Sequence, residues 1–270
     1  MKNNKFDIVE KEINNNDNNN DESNKLDNIV IGIEGLVGAG KTSICKELLN
    51  FIPNSVVLHA GDVYRAVVFK LLEIKNKMGK TEEKSSNLNL SNISIKELMK
   101  RFKINLRIEN KETVVYFGDE KVDINAIQSD EISLAVSKVA NIADNKDAYK
   151  VVSDIIDNLR KKYNVIFSGR DTMKIYNNLD YHFFIIADLD ERVRRKLIQY
   201  NNNIDEKTLR EHIKKRDNLQ KQTGFYDTYD LTIIIDVTDC KDSVESAKKV
   251  LKHIKIKETI WKLRGVKRCL

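Results

Sequence analysis

The sequence predicts an α/β fold in which a parallel central sheet is covered by helices on both faces, giving three layers. Short apolar runs rich in Ile and Val, with the length of buried strands, alternate along the chain with longer stretches of helical periodicity. Such alternation is typical of parallel strands joined by crossover helices. A chain of 270 residues, 41% of them hydrophobic, is long enough for one sizeable core or for one core with an inserted subdomain.

The ordered region is expected to begin at Asn28 and to extend to residue 256 as one domain. Residues 1–27 are mostly Asn, Asp, Lys and Glu, so we expect a disordered tail, and residues 257–270 form a basic tail without an assigned structure. The elements expected in chain order are strand 28–34, helix 43–51, strand 55–60, helix 61–74, loop 76–92, helix 93–100, strands 102–110 and 112–122, helices 124–142 and 147–163, strands 164–169 and 181–188, helices 190–200 and 204–221, strand 231–237 and helix 242–256.

Composition and charge exclude several classes of protein. Lys and Arg number 47 against 41 Asp and Glu, and this net charge of +6 is spread along the chain, which hints at anionic small molecules rather than nucleic acid. Cys45, Cys240 and Cys269 are odd in number and widely spaced, so neither a disulfide framework nor a metal site is expected. Because no apolar run resembles a signal region or a membrane span, we expect a cytoplasmic protein without a membrane partner.

The segment GLVGAGKT, residues 35–42, fits the pattern G-x-x-x-x-G-K-[ST] and lies between a predicted strand and a predicted helix. Glycines let such a loop curl so that its N–H groups point inward, and the helix start adds positive potential. Lys41 is expected to reach the β- and γ-phosphates of a triphosphate, and the Thr42 hydroxyl to bind Mg²⁺. The expected nucleotide-binding residues are Gly35, Leu36, Val37, Gly38, Ala39, Gly40, Lys41, Thr42 and Ser43.

Glu34 closes the first predicted strand directly before this loop. Its carboxylate has two equally weighted interpretations, a contact to metal-bound water or a purely structural role at the strand end.

Three kinds of phosphate chemistry compete for such a loop: a small-molecule kinase, a GTPase switch and an ATP-driven motor. The sequence NKDA at 145–148 lacks the Asp of a guanine-reading motif, and Asp236 closes an apolar strand too late in the chain to favour a motor. A kinase needs arginines that grip the acceptor and the transferring phosphoryl group. Arginines follow successive predicted strands at positions 65, 170, 192, 194 and 195, with another at 216. The kinase interpretation is therefore favoured.

These motifs together resemble the bacterial cytidylate kinases, members of the nucleoside monophosphate kinase group. The stretches that carry the resemblance are IVIGIEGLVGAGKTSICKEL, LHAGDVYRAVVF, VDINAIQSDEISLAVSKVANIAD, IFSGRDTMKIYNNLDYHFFIIADLDERVRRK and IKKRD. Their order and spacing match the family from about residue 29 to about residue 256.

The resemblance implies a P-loop kinase fold with a small inserted acceptor-binding subdomain at about 76–130 and a helical lid at about 188–204. It implies transfer of the γ-phosphoryl group of ATP to CMP or dCMP with Mg²⁺. The implied catalytic residues are Lys41, Arg170, Asp171, Arg192 and Arg195. The implied acceptor-binding residues are Arg65, Ser137, Arg170, Asp171 and Arg216.

The chain departs from the family pattern at the acceptor positions. His59-Ala60-Gly61 stands where the family has Asp-Thr-Gly or Asp-Ser-Gly, and Gln128 stands in place of an arginine. Lys146 aligns with a base-contacting arginine, and Gln220 and Thr223 replace the acid and arginine of the late motif RDxxDxxR. Loss of an acceptor-only carboxylate removes charge-assisted hydrogen bonds. Two alternatives therefore stay open: a kinase for another small acceptor, or a catalytically weak ATP-binding protein. Small-molecule nucleotides are the expected partners, and a monomer is favoured.

Overall fold

The computed structural model describes residues 9–10, 28–78, 95–129, 132, 136, 146–201 and 203–254. Its strands are β1 (Val9–Glu10), β2 (Val30–Gly35), β3 (Ser55–His59), β4 (Ile104–Glu109), β5 (Glu112–Phe117), β6 (Glu120–Lys121), β7 (Asn164–Ser168), β8 (Tyr181–Ile186) and β9 (Thr232–Asp236). Its helices are α1 (Lys41–Phe51), α2 (Ala60–Met78), α3 (Ile95–Arg101), α4 (Ile124–Ile127), α5 (Lys146–Arg160), α6 (Thr172–Ile175), α7 (Leu189–Gln199), α8 (Glu206–Gln222) and α9 (Ser243–Leu251). The predicted α/β class with a mostly parallel sheet is confirmed.

The chain divides into two compact units. The first comprises Met1–Asn28, Val56–Val165 and Lys174–Asn177, and the second comprises Ile29–Ser55, Ile166–Met173 and Asn178–Leu270.

The second unit is built on parallel strands. β8 pairs in parallel with both β2 and β9, with Ile33 opposite Phe183 and Ile185 opposite Ile235. The end of β7 lies on the other side of β2. Ile33, Phe183 and Ile185 have no exposed surface, which is why β2 and β8 appear in the sequence as continuous apolar runs.

Loops and turns of the second unit leave the carboxyl ends of its parallel strands. Residues 36–40 join β2 to α1, residues 169–171 follow β7, and residues 187–188 join β8 to α7. Because parallel strands end at a common sheet edge, polar residues in these connections are brought together there. This edge carries the predicted nucleotide site.

The first unit contains a hairpin that joins the parallel strand β3. β4 and β5 pair antiparallel through a turn at Asn110 and Lys111, both of which have positive φ, and β5 pairs in parallel with β3 at Val57 and Glu112. β1 pairs in parallel with β4, so Val9–Glu10 form a short strand within the predicted tail. The strands placed by sequence in an insert thus pair with a strand of the predicted main sheet.

Several predicted elements differ in extent from the observed ones. The helix expected over 61–74 continues to Met78, into the predicted loop, and the strand expected over 112–122 is observed as β5 and β6. The helix expected over 124–142 is observed as α4, which ends at Ile127, and most of 130–145 lies outside the described residues. The last helix begins at Ser243 and ends at Leu251, while residues 255–256 of the prediction are not described. Helix α6 was not predicted, since four residues are too few to show helical periodicity. Across the described ranges, none of the helices combines the length and apolar character needed to cross a lipid bilayer.

Gly35 is predicted to be intolerant of any side chain. Its φ is +143°, and a Cβ placed there would lie 2.1 Å from the carbonyl oxygen of Ile185 in the paired strand. Gly35→Ala should lower the free energy of unfolding, measured by urea denaturation, by about 3 kcal/mol or more, since both strain and a backbone clash result. Gly118→Ala is the matched control, because φ is +64° there and nothing lies within 4 Å. Equal losses in the two variants would contradict the expectation.

Candidate active site

The phosphate loop adopts a conformation that only its glycines make accessible. Gly35, Gly38 and Gly40 have φ values of +143°, +81° and +90°. The loop begins with a hydrogen bond from the N–H of Leu36 to the carbonyl of Ile185 (3.0 Å). α1 then starts at Lys41 without a capping side chain and without an acidic residue in its first turn. Its N-terminal N–H groups therefore keep their positive potential.

Lys41 lies across the start of the phosphate loop. Its ammonium donates to the carbonyls of Gly35 (2.8 Å) and Leu36 (2.7 Å). Burial, followed by the positive charges of Arg170 and Arg216, lowers the pKa of Lys41 from 10.5 to about 7, while Asp217 acts in the opposite direction. The guanidinium groups of Arg170 and Arg216 therefore lie close enough to Lys41 to repel its ammonium, and such a group favours a polyanion.

Thr42 and Ser43 are exposed in the first turn of α1, beside Lys41. Within the described ranges, no group of three or more His, Cys, Asp or Glu could hold a metal ion. Mg²⁺ in phosphoryl-transfer sites takes few protein ligands and completes its shell with phosphate oxygens and water. A threonine hydroxyl next to the phosphate loop fits that requirement.

Glu34 holds the turn that carries Arg170 and Asp171. The Glu34 carboxylate is 3% exposed and accepts hydrogen bonds from the backbone N–H of Thr172 and from its hydroxyl, the latter at 2.6 Å. The preceding residue, Asp171, is buried with a positive φ of 52°, a conformation that residues with a side chain adopt infrequently. The contacts of Glu34 with Thr172 therefore help to hold this turn.

His182 extends this polar cluster across the neighbouring strands. It is completely buried, with Nδ1 2.9 Å from the Thr232 hydroxyl and Nε2 3.2 Å from Glu34 Oε1. Glu34 thus has extensive structural contacts, and its contact with metal-bound water stays a prediction.

Arg192 and Arg195, the predicted lid arginines, both contact the phosphate loop. Arg192 is 6% exposed and donates to the carbonyls of Ala187 (2.9 Å) and Val37 (3.0 Å). Arg195 donates to the carbonyls of Ala39 (3.3 Å) and Val237 (2.7 Å) and to the Glu191 carboxylate (2.7 Å). In this structure both guanidinium groups therefore bind loop carbonyls.

Asp217, which follows Arg216 in α8, joins the same network. It accepts hydrogen bonds from the N–H of Val37 (3.2 Å), the Tyr226 hydroxyl (2.6 Å) and Arg192. Burial and the hydrogen bond to Asp217 raise the pKa of Tyr226, so this phenol stays a neutral donor. The guanidinium of Arg170 lies 5.4 Å from the centre of the Phe225 ring, a cation–π distance.

The predicted acceptor residue Arg65 lies in the first unit, at the start of α2. Its Nη1 donates to Asp62 Oδ1 (2.9 Å), which also accepts from Gln128 Nε2 (3.1 Å). A Cβ at Gly61 would lie 2.7 Å from Arg65 Nη1, so this glycine leaves room for the guanidinium. His59 stands at a position that departs from the family pattern, and its Nε2 lies 3.2 Å from Glu112 Oε2. Asp62 therefore orients Arg65, and Gln128 supports it.

The other departures have local explanations or lie outside the description. Thr223 donates its hydroxyl to the carbonyls of Leu219 (2.9 Å) and Gln220 (3.1 Å), so it closes the end of α8. Gln220 is buried at 6% exposure. Ser137 lies outside the described residues, as does the side chain of Lys146.

Sequence reasoning assigned no role to Asp217, Tyr226, Glu191 or His182. Asp217 stands next to the predicted Arg216, but its contacts with Val37 and Arg192 span 180 and 25 residues and leave no local pattern. The contacts of Glu191 could have been predicted from sequence, because Arg194 and Arg195 follow it at spacings of three and four on a helix, and such spacings favour ion pairs.

Replacing Glu34 tests its role at the turn. Glu34→Ala should lower the free energy of unfolding by about 3 kcal/mol, because it leaves the buried donors of Thr172 without an acceptor. Glu34→Gln keeps an oxygen acceptor and should lose less. Urea denaturation measures both. Turnover lost at unchanged stability would instead favour the contact to metal-bound water.

Glu191 predicts a pH dependence. Hydrogen bonds from Arg194 and then Arg195 outweigh burial and lower the pKa of Glu191 from 4.5 to about 2. A lowered folded-state pKa stabilises the protein above pH 4.5, and this contribution is lost as the pH falls towards 2. Between pH 5 and pH 3 the wild type should lose about 1 kcal/mol more unfolding free energy than Glu191→Gln. Glu206→Gln, at an exposed ion pair with Arg210, is the control. Equal losses of unfolding free energy in Glu191→Gln and the wild type would contradict this prediction.

Comparison with known proteins shows to which family this chain belongs. The sequence profile of the cytidylate kinase family matches residues 31–257. The chain is 31% identical over 188 residues to the cytidylate kinase of Fusobacterium nucleatum, an alignment that covers 67% of this chain and 73% of the relative. It is 30% identical over 234 residues to that of Alkaliphilus oremlandii (84% and 99%) and 28% identical over 246 residues to that of Mycoplasmopsis pulmonis (88% and 95%). The resemblance predicted from the motifs is confirmed, and this chain belongs to the cytidylate kinase family.

Proposed function

We propose that this protein transfers the γ-phosphoryl group of ATP to CMP or dCMP and releases ADP and the nucleoside diphosphate. The observation that carries the proposal is the cation group of Lys41, Arg170 and Arg216 beside a glycine-rich loop and the start of α1. Such a group suits the polyphosphate of the donor and the charge that moves during transfer. The acceptor phosphate is itself the nucleophile, so catalysis needs positioning and charge stabilisation rather than a nucleophilic side chain.

The roles proposed for individual side chains are those that the resemblance to the family implies. The phosphate loop and the start of α1, residues 35–43, bind the donor phosphates through backbone N–H groups other than those of Leu36, Val37 and Ala39, which donate to protein oxygens. Lys41 neutralises the β- and γ-phosphates, and Arg195 neutralises charge on the transferring phosphoryl group. The Thr42 hydroxyl would hold Mg²⁺, and the ion would supply positive charge that stabilises the phosphate oxygens. Asp171 orients the acceptor.

The acceptor phosphate is assigned to Arg65, which Asp62 keeps in one orientation. Ser137 and Arg216 complete the proposed acceptor contacts. The proposed kinase domain runs from 28 to 256, and the tails at 1–27 and 257–270 are assigned no function. We also propose a cytoplasmic monomer that binds neither nucleic acid nor membranes.

Replacing Lys41 tests the donor site. Lys41→Ala should lower kcat/KM for CMP-dependent ADP release by about a hundredfold or more, because charge stabilisation at the transferring group is lost. Lys46→Ala, at an exposed position of the same helix, is the matched control. Circular dichroism should show both variants folded. Near-normal activity in Lys41→Ala would mean that the donor site is misassigned.

A panel of acceptors tests the other half of the proposal. CMP and dCMP should be turned over faster than UMP, AMP or non-nucleotide acceptors when ATP and Mg²⁺ are held constant. Faster turnover of a non-nucleotide acceptor would replace the proposal with a kinase of that compound. ATP binding without turnover of any acceptor would instead identify a catalytically weak ATP-binding protein, the role left open by Gln220 and Thr223.

A further inference from the structure

Both polar groups of the Val37 backbone, in the middle of the phosphate loop, are bound by side chains from helices that follow much later in the chain. Its N–H donates to Asp217 Oδ1 (3.2 Å), and its carbonyl accepts from Arg192 Nη1 (3.0 Å). The same Arg192 nitrogen donates to Asp217 Oδ2, so the two side chains form an ion pair across this one residue.

The ion pair is itself held on each side. Arg192 Nε donates to the carbonyl of Ala187 at the end of β8 (2.9 Å), and the Tyr226 hydroxyl donates to Asp217 Oδ1 (2.6 Å). Neither side chain can therefore turn away from Val37 without breaking a second hydrogen bond. Hydrogen bonds to charged groups are about twice as strong as neutral ones, and removing one partner of a buried pair leaves the other charge uncompensated.

The side chain of Val37 packs against apolar side chains of α7 and α8. It belongs to a buried cluster with Val193 of α7 and with Leu209 and Ile213 of α8. The exposed side-chain fractions of Arg192 and Asp217 are 8% and 17%, so water competes weakly for their hydrogen bonds. Val37 thus has a fixed side chain and a fixed peptide.

We propose that Asp217 is a positioning residue for the donor site: with Arg192, it fixes the peptide of Val37 so that the phosphate loop is already in its binding conformation before ATP arrives. A preformed loop binds more tightly because ordering its backbone costs nothing at the moment of binding. Asp217 itself carries the wrong charge to contact a phosphate and acts only through Val37 and Arg192. This inference rests on the proposed function only in that the loop binds ATP.

Asp217→Asn is the test. The amide is nearly the same size as the carboxylate, but it removes the charge and presents an NH₂ group to at least one of the three donors. The Kd of ATP–Mg²⁺, measured by calorimetry without acceptor, should rise about ten- to a hundredfold, the equivalent of a lost charge-assisted hydrogen bond. In steady-state assays the KM for ATP should rise while the KM for CMP at saturating ATP changes less than about twofold. A general loss of structure would raise the KM for ATP and the KM for CMP together.

Asp230→Asn, which removes the same charge from an exposed loop residue, is the matched control and should bind ATP as the wild type does. An Asp217→Asn variant with wild-type affinity, or with equal changes in the two KM values, would overturn the inference. Wild-type protein that binds ATP but does not phosphorylate CMP would refute the proposed function alone, because the binding comparison still reports on Asp217.

Tyr226→Phe covers the case in which Asp217→Asn does not fold. This change removes one donor to Asp217 and leaves the ion pair in place. The affinity for ATP–Mg²⁺ should fall about threefold, because one hydrogen bond to the Asp217 carboxylate is lost while the ion pair with Arg192 still holds Val37. Unchanged affinity in Tyr226→Phe, with Asp217→Asn unfolded, would count against the inference.

Discussion

The main energetic constraint on the second unit is the Lys41 ammonium, which is buried beside two guanidinium groups. Burial and the guanidinium groups of Arg170 and Arg216 together bring its pKa down to about 7, so placing an ammonium here opposes folding at neutral pH. The core of β2, β8 and β9, with residues such as Ile33 and Phe183 completely buried, provides the free energy that offsets this cost. A site for polyanions must contain such repulsion in the free protein, because a permanent counterion would compete with the ligand.

The same logic explains how the carboxylates are placed. Asp217 faces Val37 and Arg192, and Glu34 faces Thr172 and His182, so both acids bind groups that hold the site rather than groups that would meet a phosphate. Asp62 orients Arg65 in a comparable way within the first unit. In each case a buried or half-buried carboxylate gives a fixed direction to a donor, which a neutral side chain does less strongly.

Sequence reasoning recovered what is encoded locally. The glycine pattern of residues 35–42, the apolar runs of β2, β7, β8 and β9, and the arginines after them depend on neighbouring residues, so fold class and family followed directly. The pairing of Val57 with Glu112 depends on register between distant segments, and it has no local signature. The residues Val37 and Asp217 are also far apart in sequence, so no local pattern indicates their contact, whereas Arg216 belongs to a recognisable RD motif.

The left-handed backbone of Asp171 has a consequence for how this protein could vary in evolution. Among residues with a side chain, Asn and Asp adopt positive φ most readily, whereas β-branched residues pay the highest strain. Position 171 is therefore restricted by the shape of the turn in addition to the role proposed for its carboxylate. A substitution that preserves the charge, such as Glu, must still adopt the positive φ of this position. Fewer residues are therefore acceptable than the charge alone would allow.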